Sequence, residues 1–354
     1  MRIKVIFTGG TIGSKKSKNG INIDKDTNAQ RLLIENFYKD DLNTDVIFDT
    51  EEPFSILSEN MSISYWNILI KCLKNIDFEK YNGVIIAHGT DTLSYTTNLL
   101  SLLLSGINIP VVMVSSDYVL TDIRSNGNDN FKNAVYFIKH SNLKGVYAVY
   151  RDYANVHRLF LGSRLKQCSC LSNEYSSTAN INFGEIKNNE ILLYDIPQNP
   201  SKNNILSNKK SMLLDKIDCI KPCVAQIFSY TGLNYDMYYF PNNIKAVVNF
   251  LYHGGTTCIE NKEQYCTSII EFLKQEKNKH IDFFVSPIEK SRSEIYESTS
   301  LLISENIKLL YDISNEMAYI KLLIAYSTDD INIRKYILDT NIFFEEIKDY
   351  SDFK

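Results

Sequence analysis

Ile3-Lys4-Val5-Ile6-Phe7-Thr8-Gly9-Gly10-Thr11-Ile12-Gly13 is a short apolar run that stops at a turn of glycine and threonine. Val5, Ile6 and Phe7 form an unbroken β-branched and aromatic run, the pattern of a parallel strand buried on both faces. Gly9 and Gly10 let the backbone turn sharply and keep Cβ atoms away from anything bound there. The tip then presents the hydroxyls of Thr8 and Thr11. A hydroxyl on a glycine turn beyond a parallel strand is a place where α/β enzymes put chemistry. A plain βα turn without a ligand fits the same letters, so this stretch alone does not decide.

Working outward, the pattern returns. Gly83-Val84-Ile85-Ile86-Ala87 reads as a second buried strand, ending at His88-Gly89-Thr90-Asp91-Thr92 and followed by a helix from about Leu93 to Leu104. Thr90, Asp91 and Thr92 would serve as helix caps, with the carboxylate where the helix dipole favours it. Repetition of the strand and glycine–threonine turn argues for more. Two parallel strands ending side by side would bring Thr11 and Thr90 to one crevice, with Asp91 beside them. Threonine is a poor nucleophile until a base or cation helps remove its proton.

Residues 14–26 are polar and lysine-rich and read as a mobile loop able to act as a lid. Helical spacing over 28–38, a strand at Val46-Ile47-Phe48 and a helix through Trp66, Leu69, Ile70 and Leu73 capped by Ser62 come next. Strands at 110–114 and 145–150 flank a helix over 129–139, and residues 158–166 alternate. Residues 196–210 are rich in Asn, Lys, Ser and Pro with little periodicity, which marks a boundary. The expected organisation is an N-terminal domain over 1–195, a linker over 196–221 and a C-terminal domain over 222–354. In the second half, strands at 224–228, 246–251, 283–286 and 307–310 alternate with helices around Tyr235 and over 263–275, 299–306 and 315–326. That predicts an α/β protein with two parallel-sheet domains, the second smaller.

The 354 residues suit two cores rather than one. A net charge of −4 gives no footprint for nucleic acid. The chain enters a strand at once, and Leu99 to Leu104 is too short and broken to span a bilayer, so neither a signal peptide nor a membrane segment is expected. The seven cysteines are odd in number and unevenly spread, and Cys168-Ser169-Cys170 lacks zinc-ligand spacing, which predicts free thiols in a cytoplasmic protein and no metal. Phosphate binding fits poorly. The first turn has no P-loop lysine, is not G-x-G-x-x-G, and finds an acidic residue at ribose distance only in Asp24 or Asp26.

Phe7-Thr8-Gly9-Gly10-Thr11-Ile12 and His88-Gly89-Thr90-Asp91-Thr92 together resemble the two signature motifs of the bacterial-type L-asparaginases, the cytoplasmic type above all. The likeness continues through Ser58-Glu59-Asn60-Met61, Arg124-Ser125-Asn126-Gly127, Gly162-Ser163-Arg164 and the stretch from Asp312 to Leu322. What the resemblance implies is an amidohydrolase that cleaves L-asparagine to aspartate and ammonia without a cofactor, as a homodimer or homotetramer. Thr11 would attack the amide carbon, Thr90 would hold the water, Asp91 would bind the α-amino group and Ser58 the α-carboxylate, with Glu59 beside it. Backbone N–H groups near Thr11 and Thr90 would steady an oxyanion, with Gly10 and Gly89 among the substrate-binding residues. The family also places a tyrosine on the loop after the first motif, where this chain has Ile21, and a lysine three residues after Arg164, where it has Gln167.

Lys166 is the candidate for that lysine, one position off and aimed at the opposite face of a regular strand unless a bulge intervenes. His157 is a remoter substitute. Glu59 would repel a substrate carboxylate unless protonated or paired. Three readings follow: an active amidohydrolase, a weakened relative that binds an amino acid or amide as a sensor or regulatory subunit, and a nucleotide-binding α/β protein.

Overall fold

The computed structural model describes residues 1–17, 20–23, 28–39, 45–275, 280–290, 295–305 and 307–350. They fall into two compact units, Met1–Asp218 with Ile342–Phe344 and the residues from Lys348, and Cys219–Asn341 with Glu345–Ile347.

The first unit begins with β1 (Arg2–Phe7), β2 (Ser14–Ser17), β3 (Gly20–Ile23), α1 (Asn28–Tyr38), β4 (Ile47–Glu51) and α2 (Ile63–Lys74). β5 (Gly83–Ala87), α3 (Leu93–Leu103), β6 (Pro110–Val114), α4 (Gly127–His140), β7 (Gly145–Arg151) and β8 (His157–Leu161) follow. It closes with β9 (Leu165–Lys166), β10 (Ser176–Ser177), β11 (Gly184–Lys187), β12 (Glu190–Leu193) and α5 (Lys202–Ser207). Its main sheet runs β12-β11-β8-β7-β6-β5-β1-β4. The pairs from β4 to β7 are parallel, whereas β8, β11 and β12 add an antiparallel flank.

Every residue of β5 and β6 is buried, and Val5, Ile6 and Phe7 are covered on both sides, as unbroken apolar runs require. One face packs Val5, Phe7, Ile85 and Val112 against Phe37 of α1 and Phe131 and Phe137 of α4. β1 pairs with β4 on one side and β5 on the other, so the strand order reverses there. Ligands of open α/β sheets bind beyond the carboxyl ends of the strands at such a reversal. The loops after β1 and β5 are the two glycine–threonine turns.

Several expectations need adjusting. The stretch read as a mobile loop is, in its described part, the antiparallel ribbon β2–β3, pairing Ser14 with Ile23 and Lys16 with Ile21. Asp24 and Asp26 lie outside the described residues. Ser62 stands at the start of α2 but its side chain makes no cap bond. The stretch 196–221 carries α5, capped by Ser201, and buries Ile205, Leu213, Leu214 and Ile217 in the first unit. Low periodicity there reflects short helical turns rather than an unpacked connection. Arg164 is fully buried, its Nε donating to Phe344 O at 2.6 Å and a terminal nitrogen to Gln198 O at 2.8 Å.

The second unit carries β13 (Val224–Phe228), β14 (Ala246–Phe250), α6 (Ile269–Lys274), β15 (Asp282–Ile288), α7 (Glu297–Ser304), β16 (Lys308–Tyr311), α8 (Asn315–Ser327) and α9 (Ile331–Asp339). Its strands form a parallel sheet in chain order. The helix predicted over 263–275 shortens to α6 because Ser268 caps it, accepting from Glu271 N. The segment around Tyr235 is a single 3₁₀ turn. Among the described residues no helix is long and apolar enough to cross a membrane.

Candidate active site

After β1 the chain makes a single residue of further sheet contact, Gly9 opposite Ile56, before turning. Ile56 N donates to Thr8 O at 3.2 Å and Gly10 N donates to Ile56 O at 2.7 Å. A Cβ on Gly9 would lie 2.2 Å from Ile56 O, and its φ is +99°, so glycine is required there on two counts. Thr8 does not face a ligand. It is buried, and its hydroxyl donates to Ala87 O at 3.0 Å, stapling the first turn to the end of β5. Thr11 opens a 3₁₀ turn over Thr11–Gly13, half-buried, with Ser14 Oγ donating to Gly10 O at 2.7 Å beneath it.

The two motif turns meet. A Cβ on Gly10 would sit 2.1 Å from Gly89 Cα, and one on Gly89 would sit 2.4 Å from Ser58 Cβ. Gly10 and Gly89 are therefore packed backbone to backbone, and the Ser58 side chain lies against Gly89, with no room for another carbon. Ser58 is 5% exposed and starts the 3₁₀ turn Ser58–Asn60. Its Oγ donates to Asp91 Oδ2 at 3.1 Å and accepts from Asp91 N at 3.2 Å, while its carbonyl accepts from Thr92 Oγ1 at 3.0 Å.

That arrangement overturns the helix-cap reading. Thr92 occupies the cap position of α3, yet its side chain makes no cap bond and serves Ser58 instead. Asp91 is exposed, so its carboxylate is open to a ligand while one oxygen is held. Thr90 is half-buried beside it. Glu59 is exposed next to Ser58.

His88 is fully buried, with Nδ1 2.8 Å from Gly89 O and, among the described residues, no partner at Nε2. Burial pushes its pKa down to about 4, so it stays neutral and the Nδ1–H donates to Gly89 O.

Of the remaining candidates, Lys166 belongs to β9, paired opposite Ser176, and is half-buried. Gln167, the next residue, is the one whose side chain reaches the turn: Nε2 donates to Asp91 O at 2.5 Å and Oε1 accepts from Ser94 Oγ at 2.7 Å. Ile21 is exposed on β3. His157 lies at the start of β8 beside Asn133. Tyr175, which no sequence signal singled out, donates its hydroxyl to Thr90 O at 2.5 Å from a site 8% exposed. Burial raises its pKa well above the usual phenol value, keeping it a donor. Among the described residues no cluster of three or more His, Cys, Asp or Glu side chains is placed to hold a metal ion.

Comparison with known proteins bears on this geometry. L-asparaginase 1 of Escherichia coli (strain K12) is 29% identical over 163 residues, 46% of each chain. A glutamyl-tRNA(Gln) amidotransferase subunit from Saccharolobus islandicus (strain L.S.2.15 / Lassen #1) is 41% identical over 118 residues, 32% of this chain and 25% of that one. The chain thus spans less than half the length of the curated relatives it matches. In fold, the thermostable L-asparaginase from Thermococcus kodakarensis superposes with a TM-score of 0.78 over 98% of this chain and 100% of its own, at 22% identity. The family profile described as asparaginase, N-terminal, matches residues 2–198, the sheet and both turns included. That match covers more than half of the chain, which therefore belongs to the asparaginase family.

Proposed function

We propose that the chain is an amidohydrolase that cleaves L-asparagine to L-aspartate and ammonia. The observation that carries this reading is the junction at Ser58, where one hydroxyl holds both the carboxylate and the backbone of Asp91 while the Gly10 and Gly89 turns press together beside it. In this reading Thr11 Oγ attacks the side-chain amide carbon and gives up its proton, and ammonia leaves with a proton. Thr90 holds the water that then hydrolyses the aspartyl ester. Asp91 takes the substrate ammonium, Ser58 turns its hydroxyl proton from Asp91 Oδ2 to the α-carboxylate, and N–H groups of the two turns face the oxyanion. Lys166 stays in the proposed set as a cation one residue before Gln167, on the other face of β9. No cofactor is required, and the working form is a cytoplasmic homodimer or homotetramer, which light scattering would test.

The decisive experiment is ammonia release from asparagine, glutamine and aspartyl amides by the wild type and Thr11→Ala. The expected result is release from asparagine that falls at least ~10³-fold in Thr11→Ala. Equal, slow release by both, with asparagine still raising the melting temperature, would favour a second reading. The neutral Gln167 at Asp91 favours that reading: the chain would bind an amino acid or amide as a sensor or regulatory subunit. Stabilisation by a nucleotide and none by asparagine would point to nucleotide binding.

A further inference from the structure

Resting on the asparagine reading above, we propose that Gln167 and Tyr175 form a clamp that aims the Asp91 carboxylate and so sets selectivity for amides bearing an α-amino group. Both residues come from one small ribbon. β9 and β10 pair Leu165 with Ser177 and Lys166 with Ser176 in antiparallel register. Continued by one residue, that register sets Gln167 opposite Tyr175. Opposed residues of an antiparallel pair project to the same face, and neighbours along a strand to opposite faces. Gln167 and Tyr175 therefore reach the same turn together, and Lys166 belongs to the other face.

The two side chains grip successive carbonyls. Tyr175 Oη donates to Thr90 O at 2.5 Å and Gln167 Nε2 donates to Asp91 O at 2.5 Å. The Thr90 carbonyl and the Asp91 N–H belong to one peptide plane, and the N–H end of that plane is held by Ser58 Oγ at 3.2 Å. The next plane, carrying Asp91 O, is held by Gln167. Both planes that flank the Asp91 Cα are thus pinned, which fixes its φ and ψ and the direction of its Cα–Cβ bond. Each grip is itself anchored. Gln167 Oε1 accepts from Ser94, which is fully buried, and the Tyr175 ring packs edge-on against Tyr150 with centroids 4.9 Å apart. Preorganised placement of a charged group counts most where it meets the opposite charge of a ligand. Here that charge is the substrate ammonium.

Tyr175→Phe removes one hydroxyl and keeps the ring, and Gln167→Met keeps the length while removing the donor and adding no charge. The measurement is kcat/KM for asparagine against succinamate, which has the same amide and carboxylate but no α-amino group. The expected result is that each variant lowers the asparagine-to-succinamate ratio about fivefold, the effect of one hydrogen bond of about 1 kcal/mol, chiefly through KM for asparagine. A purely structural role would lower both substrates together and leave the ratio unchanged, and that result overturns the clamp. A wild type with no preference for asparagine over succinamate also overturns it. If the wild type releases no ammonia, hydrolysis fails alone, and the same ratio is read from ligand-induced rises in melting temperature. A preference unchanged in Tyr175→Phe then overturns the clamp. A wild type stabilised by neither compound overturns both.

Discussion

Two glycine–glycine–threonine turns follow parallel strands in this chain, one in each unit, and they are built differently. In Thr8-Gly9-Gly10-Thr11 each glycine is backed by another stretch of backbone, Ile56 for Gly9 and Gly89 for Gly10. In His253-Gly254-Gly255-Thr256 a Cβ on Gly254 would meet only the Tyr296 ring at 3.6 Å, apart from the turn's own Thr256, and one on Gly255 only Pro287 O at 3.8 Å. The second turn closes on itself, with Tyr252 N donating to Thr256 O, Gly255 N donating to Tyr252 O, and Thr299 Oγ1 capping Gly255 O. A glycine pair before a threonine marks a sharp turn and nothing further. The first turn is a candidate site because a second turn and Ser58 are pressed against it.

The largest expected stability effect follows directly. Gly10→Ala puts a carbon 2.1 Å from Gly89 Cα at a residue with φ +75°. Both partners are backbone, so no side chain can swing aside. We expect a loss of roughly 3–4 kcal/mol by urea denaturation, overpacking plus the cost of a left-handed alanine. Gly254→Ala makes only ordinary van der Waals contacts, with the Tyr296 ring and Thr256, and is expected to stay within about 0.5 kcal/mol of wild type. Comparable losses from both would dissolve the contrast between the turns.

His88 offers a somewhat smaller effect. Its folded-state pKa is held near 4 by burial, against 6.5 for the free side chain. Above pH 6.5 neither state carries the proton, and the stability contributed by His88 is complete. As pH falls from 6.5 to 4 the unfolded chain takes a proton that the folded chain refuses, so stability is lost across that window. The total is about 3 kcal/mol, at 1.36 kcal/mol for each pKa unit. Burial also lowers the pKa of His157, so the useful quantity is the difference between wild type and His88→Asn. Denaturation curves at several pH values should be flatter for the variant between 6.5 and 4, and parallel curves would refute a buried neutral His88.

Much of the fold was legible because β5 and β6 are, and β1 and β14 contain, apolar runs buried on both faces, which no surface element imitates. The antiparallel flank was not, since β8 draws its partner Gly184–Lys187 from beyond a long polar stretch with no periodicity of its own. α9 escaped because Ile337 is its one buried residue and its start rests on Asp330, which accepts from Asn332 N and Ile333 N. At the site, the first turn taken alone offers the hydroxyls of Thr8 and Thr11, the resemblance chooses Thr11, and the bond from Thr8 to Ala87 O accords with that choice. Asp91 and Thr92 have the composition of a helix cap, and only the position of Ser58, more than thirty residues upstream, shows otherwise. Tyr175 left no trace at all, because a strand of two residues carries no pattern.

The smallest expected effect concerns charge, and it bears on why the first turn alone could do chemistry. Gln167 is neutral and spends both ends of its amide on Asp91 O and Ser94 Oγ. Gln167→Lys brings an ammonium to the Thr90–Asp91 turn, where a cation favours loss of a threonine proton. We expect kcat for asparagine to rise about tenfold, below the ~10²-fold or more of a dedicated proton-transfer group because the new charge also pairs with Asp91. For the same reason KM should rise, since the lysine competes with the substrate ammonium for one carboxylate. Ser94 Oγ loses its acceptor, which costs about 1 kcal/mol in stability. A rise in kcat and KM together would show that the turn is poised for hydrolysis and limited by missing charge. A rise in KM with kcat unchanged would show that charge at position 167 is felt by the ligand and not by the nucleophile, moving the chain toward binding without turnover.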